Sequence, residues 1–175
     1  MKFVRGLGVA IFLCSVSFVL AGGIGIPKKE DVPKYLKQLQ TSAVAADRAK
    51  AAEMLGKRGG INANDVEDAI EPLKKALQKD KEAKVRAAAA RALGNIHPEA
   101  EGTVSLLLDR LKASDEAMEV KMASVVALGQ FGGDAKEAVP ALRELGSKFD
   151  AKKSKEGQTI MTAIQMINGG KKKKN

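Results

Sequence analysis

Val85-Arg86-Ala87-Ala88-Ala89-Ala90-Arg91-Ala92-Leu93-Gly94 is echoed by Val120-Lys121-Met122-Ala123-Ser124-Val125-Val126-Ala127-Leu128-Gly129. A looser copy precedes both, Asp47-Arg48-Ala49-Lys50-Ala51-Ala52-Glu53-Met54-Leu55-Gly56. The closing glycines lie 38 and then 35 residues apart. Self-similarity at this period marks a helical repeat array, because a unit so short cannot bury its apolar face alone and must stack on its neighbours.

Each unit reads as two helices. The first carries one apolar stripe, Ile70, Leu73 and Leu77 in one copy, Val104, Leu107, Leu108 and Leu111 in the next, Val139, Leu142 and Leu145 in a third. The second is the alanine-rich segment ending in Leu-Gly, whose small side chains let neighbouring helices approach. A glycine there suits the left-handed position past a helix C-terminus. Asp80, and Ser114 or Asp115, stand in the turn before the second helix as N-cap residues. Pro33 and Pro140 fall in first turns, where a missing N–H does no harm, and Pro72 should start or bend its helix.

These residues carry a resemblance. Ile70-x-x-Leu73, Asp80, Val85-Arg86, Ala88-Ala89 and Ala92-Leu93-Gly94, repeated at Val104-x-x-Leu107, Asp115, Val120-Lys121, Ala123 and Ala127-Leu128-Gly129, resemble the HEAT repeat family, in particular its short bacterial repeats. The expected fold is all-α, a solenoid of about four stacked antiparallel helix pairs, with repeats near 32–58, 66–96, 98–132 and 134–168. The last copy keeps its stripe with Ile160, Met161, Ala163, Ile164 and Ile167, and Asn168 takes the glycine's place. Degenerate end copies suit an array whose ends face water.

Outside the expected 31–168 domain, the first 21 residues have another use. Lys2 and Arg5 precede an apolar run of 14 residues, Leu7 to Leu20, and Val19-Leu20-Ala21 offers small residues at both cleavage positions. The run falls short of the ~20 residues that span a bilayer. It reads as a secretory signal, with the protein exported to the periplasm or beyond; the alternative is an uncleaved anchor. Cys14, the one cysteine, sits too early in the run to carry a lipid, and a chain cleaved after Ala21 has no disulfide. Residues 22–30 read as a flexible leader and 169–175 as a disordered lysine-rich tail.

Loss of Lys2 and Arg5 lowers the net charge from +9 to +7. Residues 22–58 hold 8 basic and 4 acidic side chains, 59–147 hold 12 and 15, and 148–175 hold 8 and 2, so the array is basic at its ends. Lys171, Lys172, Lys173 and Lys174 are therefore candidates for holding a polyanion or an anionic membrane surface, against the plain role of a solvated tail. Specific nucleic-acid binding is not expected, since Tyr35, Phe131 and Phe149 are too few and scattered for base stacking.

Nothing in the inventory assembles an enzyme. His97 is the sole histidine, in Ile96-His97-Pro98-Glu99, and reads as a loop residue. The resemblance brings to mind metal-dependent hydroxylases built from several His-Glu pairs, and lyase-related proteins that attach bilins. A single His-Pro-Glu cannot build a metal centre, and nothing beyond the repeat supports the lyase reading. Ser42, Ser105, Ser114, Ser124, Ser147 and Ser154 have no histidine near them in sequence. No cofactor and no metal is expected.

What the resemblance implies instead is a non-catalytic scaffold, expected as a monomer, that binds a protein partner on the concave side lined by the second helices. The candidate partner-binding residues are the positions expected to be exposed there: Lys50, Glu53, Arg91, Ser124 and Gln130. The recurring Arg48, Arg86 and Lys121 are expected to form a structural ladder, Arg86 with Asp80 or Asp115 and Lys121 with Asp115.

Overall fold

A computed structural model describes residues 25–150 and 153–169. The segment expected as a secretory signal, with Cys14, the start of the expected leader and the tail lysines, Lys171 to Lys174, lie outside the described residues. Among those described are eight α-helices and no strand: α1 (Val32–Thr41), α2 (Ala45–Gly59), α3 (Ile70–Lys79), α4 (Ala83–Ile96), α5 (Ala100–Lys112), α6 (Met118–Phe131), α7 (Val139–Gly146) and α8 (Lys155–Gly169). Short 3-10 segments at Lys29–Asp31, Ala63–Ala69 and Gly132–Ala138 precede α1, α3 and α7. Helical structure thus begins inside the stretch expected as a leader, where Lys29 pairs with Asp65 at 3.2 Å.

Consecutive helices pair as α1–α2, α3–α4, α5–α6 and α7–α8, joined by short turns that force antiparallel neighbours. The apolar stripes meet between the members of each pair: Leu73, Leu77, Leu107 and Leu142 from the first helices, Leu55, Leu93, Leu128, Ile160 and Ile167 from the second, all fully buried. Met161 departs from its expected place in the stripe and is 48 % exposed. Pro33, Pro72 and Pro140 all lie in the first turns of α1, α3 and α7.

The pairs stack mainly through their second helices. α2 packs extensively on α4, α4 on α6 and α6 on α8, whereas α1 and α3, α3 and α5, and α5 and α7 barely touch. Helices held closer on one side of a stack make that side the inner one, so the second helices line the concave face. Glycine is what allows the approach. A β-carbon on Gly56 would stand 2.6 Å from Ala92 Cα, one on Gly94 2.8 Å from Ala127 Cα, and one on Gly129 3.0 Å from Ala163 Cα. This corrects the expected role of the Leu-Gly ending. These glycines sit inside α2, α4 and α6 as the contact points between repeats, and none has a positive φ.

The left-handed position after α4 is taken by His97, φ 54°, whose N–H donates to the Leu93 carbonyl at 3.0 Å. Its ring stacks on Phe131 at 4.5 Å between centroids, which ties the end of α4 to the end of α6. After α6 a positive φ recurs at Gly132, φ 53° with ψ −131°, a different conformation from that of His97 and one that suits glycine. Asn168 lies within α8 with no positive φ, and it is not at the register of the repeat glycine either. Counting from Ala163, the partner of Gly129, puts Gln165 in that register, on an exposed face of α8.

Candidate partner-binding face

The exposed surface of the second-helix layer is built by register. Glu53 on α2, Arg91 on α4 and Val126 on α6 occupy the same position of successive copies, and all three are exposed. Lys50 is exposed one turn earlier on α2. Arg91 reaches across the seam to Glu119 at 3.4 Å, an exposed pair that orients two side chains but contributes little to stability. Gln130 is half-buried, and its Nε2 donates to Asn95 Oδ1 of the preceding repeat at 2.9 Å. It therefore spends one polar group on holding the stack.

Ser124 is a correction. It is fully buried, at the register of Ala51 and Ala89, which are also fully buried, and its hydroxyl has no hydrogen-bond partner. The helical stripe that faces the core includes this position, so Ser124 is not available to a partner. In its place the structure shows a group absent from the sequence-based candidates. Met118 is 45 % and Val126 41 % exposed, with half-buried Met122 between them. Spaced at i, i+4 and i+8, they form one apolar line along α6. The core side of α6 is already supplied by Val120, Val125 and Leu128. Apolar residues thus occur on two sides of α6, and a side that would normally be polar is open to solvent. Comparing Glu53, Arg91 and Val126 in register would have revealed it from sequence.

A separate polar structure runs along the edge where each first helix turns into its second. Arg48 donates to both oxygens of Asp80 in the next repeat, at 2.7 and 2.9 Å, and through Nη1 to the Ser42 and Ala43 carbonyls of its own turn. Arg86 repeats the arrangement, holding Glu116 at 2.6 Å and the Asp80 and Lys81 carbonyls. Arg110 adds a second cation 3.5 Å from Glu116. The ladder is thus real but its partners differ from those expected: Arg86 takes Glu116, and only the main-chain oxygen of Asp80. Lys121 forms no ion pair with Asp115 or any other described residue.

The acids of this edge do not cap helices as expected. Asp80 accepts the Glu82 N–H at 3.0 Å within the turn, Glu116 accepts the Ala117 N–H at 2.9 Å, and the N-caps of α4 and α6 are Glu82 and Ala117, without side-chain caps. Burial pushes the carboxyls of Asp80 and Glu116 up, but the Arg48 and Arg86 guanidiniums and those N–H groups outweigh it and hold both below the ordinary range. The hydrogen bond from Arg58 does the same for Asp65, assisted by Lys29 against the effect of burial. The Asp80 hydrogen bond in turn raises Arg48.

Among the described residues no three His, Cys, Asp or Glu side chains gather as a metal site would require, and no helix is long and apolar enough to cross a membrane. The family model for HEAT repeats matches residues 32–117 and again 70–153. No curated protein matches the chain. The two overlapping matches run from the start of α1 past the end of α7, over the same stacked pairs that the glycine seam joins, and the chain belongs to the HEAT repeat family.

Proposed function

We propose that this protein is a non-catalytic scaffold that binds a protein partner on the concave face of its second-helix layer, after export and removal of residues 1–21. The observation that carries the reading is the solvent-facing line Met118, Met122 and Val126, flanked on α4 and α6 by the Arg91–Glu119 pair. An apolar line rimmed by charge is the usual composition of a protein-recognition surface, because it supplies burial at the centre and orientation at the edge. Lys50 and Glu53 extend the charged rim along α2.

Capture from the native envelope or secreted fraction tests it. Val126→Glu places a charge in the middle of the line at an exposed position, so the fold should be retained and partner capture lost. Capture that persists in a normally folded Val126→Glu protein would sink the reading. Deleting Lys171 to Lys174 separates this from the polyanion alternative: capture through the second-helix face survives the deletion, whereas capture through the tail does not.

A further inference from the structure

The turn edge holds two completed arginine–carboxylate ties and a third place where the tie is missing. Arg48 and Arg86 each receive a carboxylate from the turn of the following repeat, Asp80 and Glu116. Lys121 occupies the same register, 35 residues after Arg86, and is paired with no carboxylate among the described residues. It opens instead into a groove of about 380 Å³ between α5 and α7, lined also by Lys112, Lys148, Ser114, Leu145 and Glu144. Three lysines there face one exposed carboxylate.

The corresponding groove between α1 and α3, about 620 Å³, shows what the filled arrangement looks like. Lysines line it as well, Lys75, Lys79 and Lys81, but its central cation, Arg48, is already met by Asp80. In that groove the carboxylate arrives on extended backbone: Asp80 has φ −67°, ψ 133° and Glu82 φ −93°, ψ 123°. The fold therefore shows, at this register, a carboxylate carried on extended backbone and held by the cation of the preceding repeat.

We infer that the α5/α7 groove is a docking site for an acidic peptide segment of a partner, whose Asp or Glu carboxylate takes the place at Lys121 that Asp80 and Glu116 take at Arg48 and Arg86. Lys112 and Lys148 hold the neighbouring acids of the segment and the Ser114 hydroxyl donates a further hydrogen bond. The charge of the groove suits such a segment, since Lys112, Lys121 and Lys148 outnumber Glu144 there. The groove lies on the first-helix side, so the inference stands apart from the proposed concave face and is tested without it.

The probe is a fluorescent oligoglutamate peptide titrated into the full chain and followed by anisotropy. Binding should appear at low ionic strength and weaken as salt rises. Lys121→Ala should weaken it by about tenfold, the effect of one charge-assisted hydrogen bond, and replacing Lys112, Lys121 and Lys148 together should abolish it. Lys121→Arg, which restores the residue type of the first two ties, should bind at least as well as the parent. Lys84→Ala, an exposed lysine on α4, and deletion of Lys171 to Lys174 should change little. In the unaltered protein, bound peptide should also protect Lys121 from amine acetylation more than Lys84, a readout that needs no variant to fold. Absence of binding, equal losses from Lys84→Ala or the tail deletion, acetylation of Lys121 unchanged by peptide, or displacement by equimolar inorganic phosphate would each overturn the proposal.

Discussion

The two helix layers of this array share one hydrophobic core but are joined to their neighbours by different means. In the second-helix layer, α2, α4, α6 and α8 approach until glycine meets alanine, Gly56 with Ala92, Gly94 with Ala127, Gly129 with Ala163. In the first-helix layer α1, α3, α5 and α7 splay apart and leave grooves between them, while the arginine ties run along the turn edge, from Arg48 on α2 and Arg86 on α4 to the turn of the next repeat. A layer bound by backbone proximity has no room for an added side-chain atom at its contacts. A layer with open grooves has room both for change and for a ligand.

The largest effects should not distinguish the layers. Leu107→Ala on α5 and Leu128→Ala on α6 each empty a fully buried leucine site, and each should cost roughly 2–5 kcal/mol in denaturant melts. A near-silent Leu128→Ala would show that the repeat register is wrong. Glycine substitutions then separate the layers sharply. Gly56→Ala puts a methyl group 2.6 Å from the Ala92 backbone and should cost about 1–3 kcal/mol, outweighing the better helix propensity of alanine. Gly102→Ala, on α5 with nothing within 4 Å of the new atom, should stabilise by roughly 0.5–1 kcal/mol. The same sign at both positions would break the comparison.

Acid should loosen the turn edge. Asp80 and Glu116 titrate below their ordinary values of 3.8 and 4.5 in the folded chain. Their ties therefore contribute fully above about pH 5 and are lost as pH falls through the lowered folded values. Melting temperature should drop on acidification below that range, and the drop should be shallower in Asp80→Asn. The smallest effect concerns the seam itself. Ser124→Ala removes a buried hydroxyl without a partner and restores the residue found at Ala51 and Ala89, so it should be neutral or stabilise by up to about 1 kcal/mol. A loss of more than that would mean that the hydroxyl has a partner.

Periodicity alone was enough for the helix pairs, their number and, Met161 apart, their buried stripes, because a stripe at helical spacing is covered by the helix it packs on. Leu73, Leu93, Leu107 and Leu128 are buried as that spacing requires. Lys50, Glu53 and Arg91 were readable as solvent positions for the same reason. Local pattern failed where two local readings were equally good. A glycine near a helix end serves either as a left-handed cap or as a point of contact, and the choice depends on how close the next helix comes.

That distance belongs to the stack and is written in no single segment. It decided that Gly56, Gly94 and Gly129 are seams while His97 takes the left-handed turn, that Ser124 is buried, and that Arg86 reaches Glu116 in preference to Asp115. It also left Met118 and Val126 exposed, with Met122 half-buried between them, and Lys121 without a carboxylate. Sequence by itself determined the units, since each helix needs only its own residues to define an apolar face. Tertiary structure decided the joints, because a joint is set by the separation of two helices that lie a whole repeat apart in the chain.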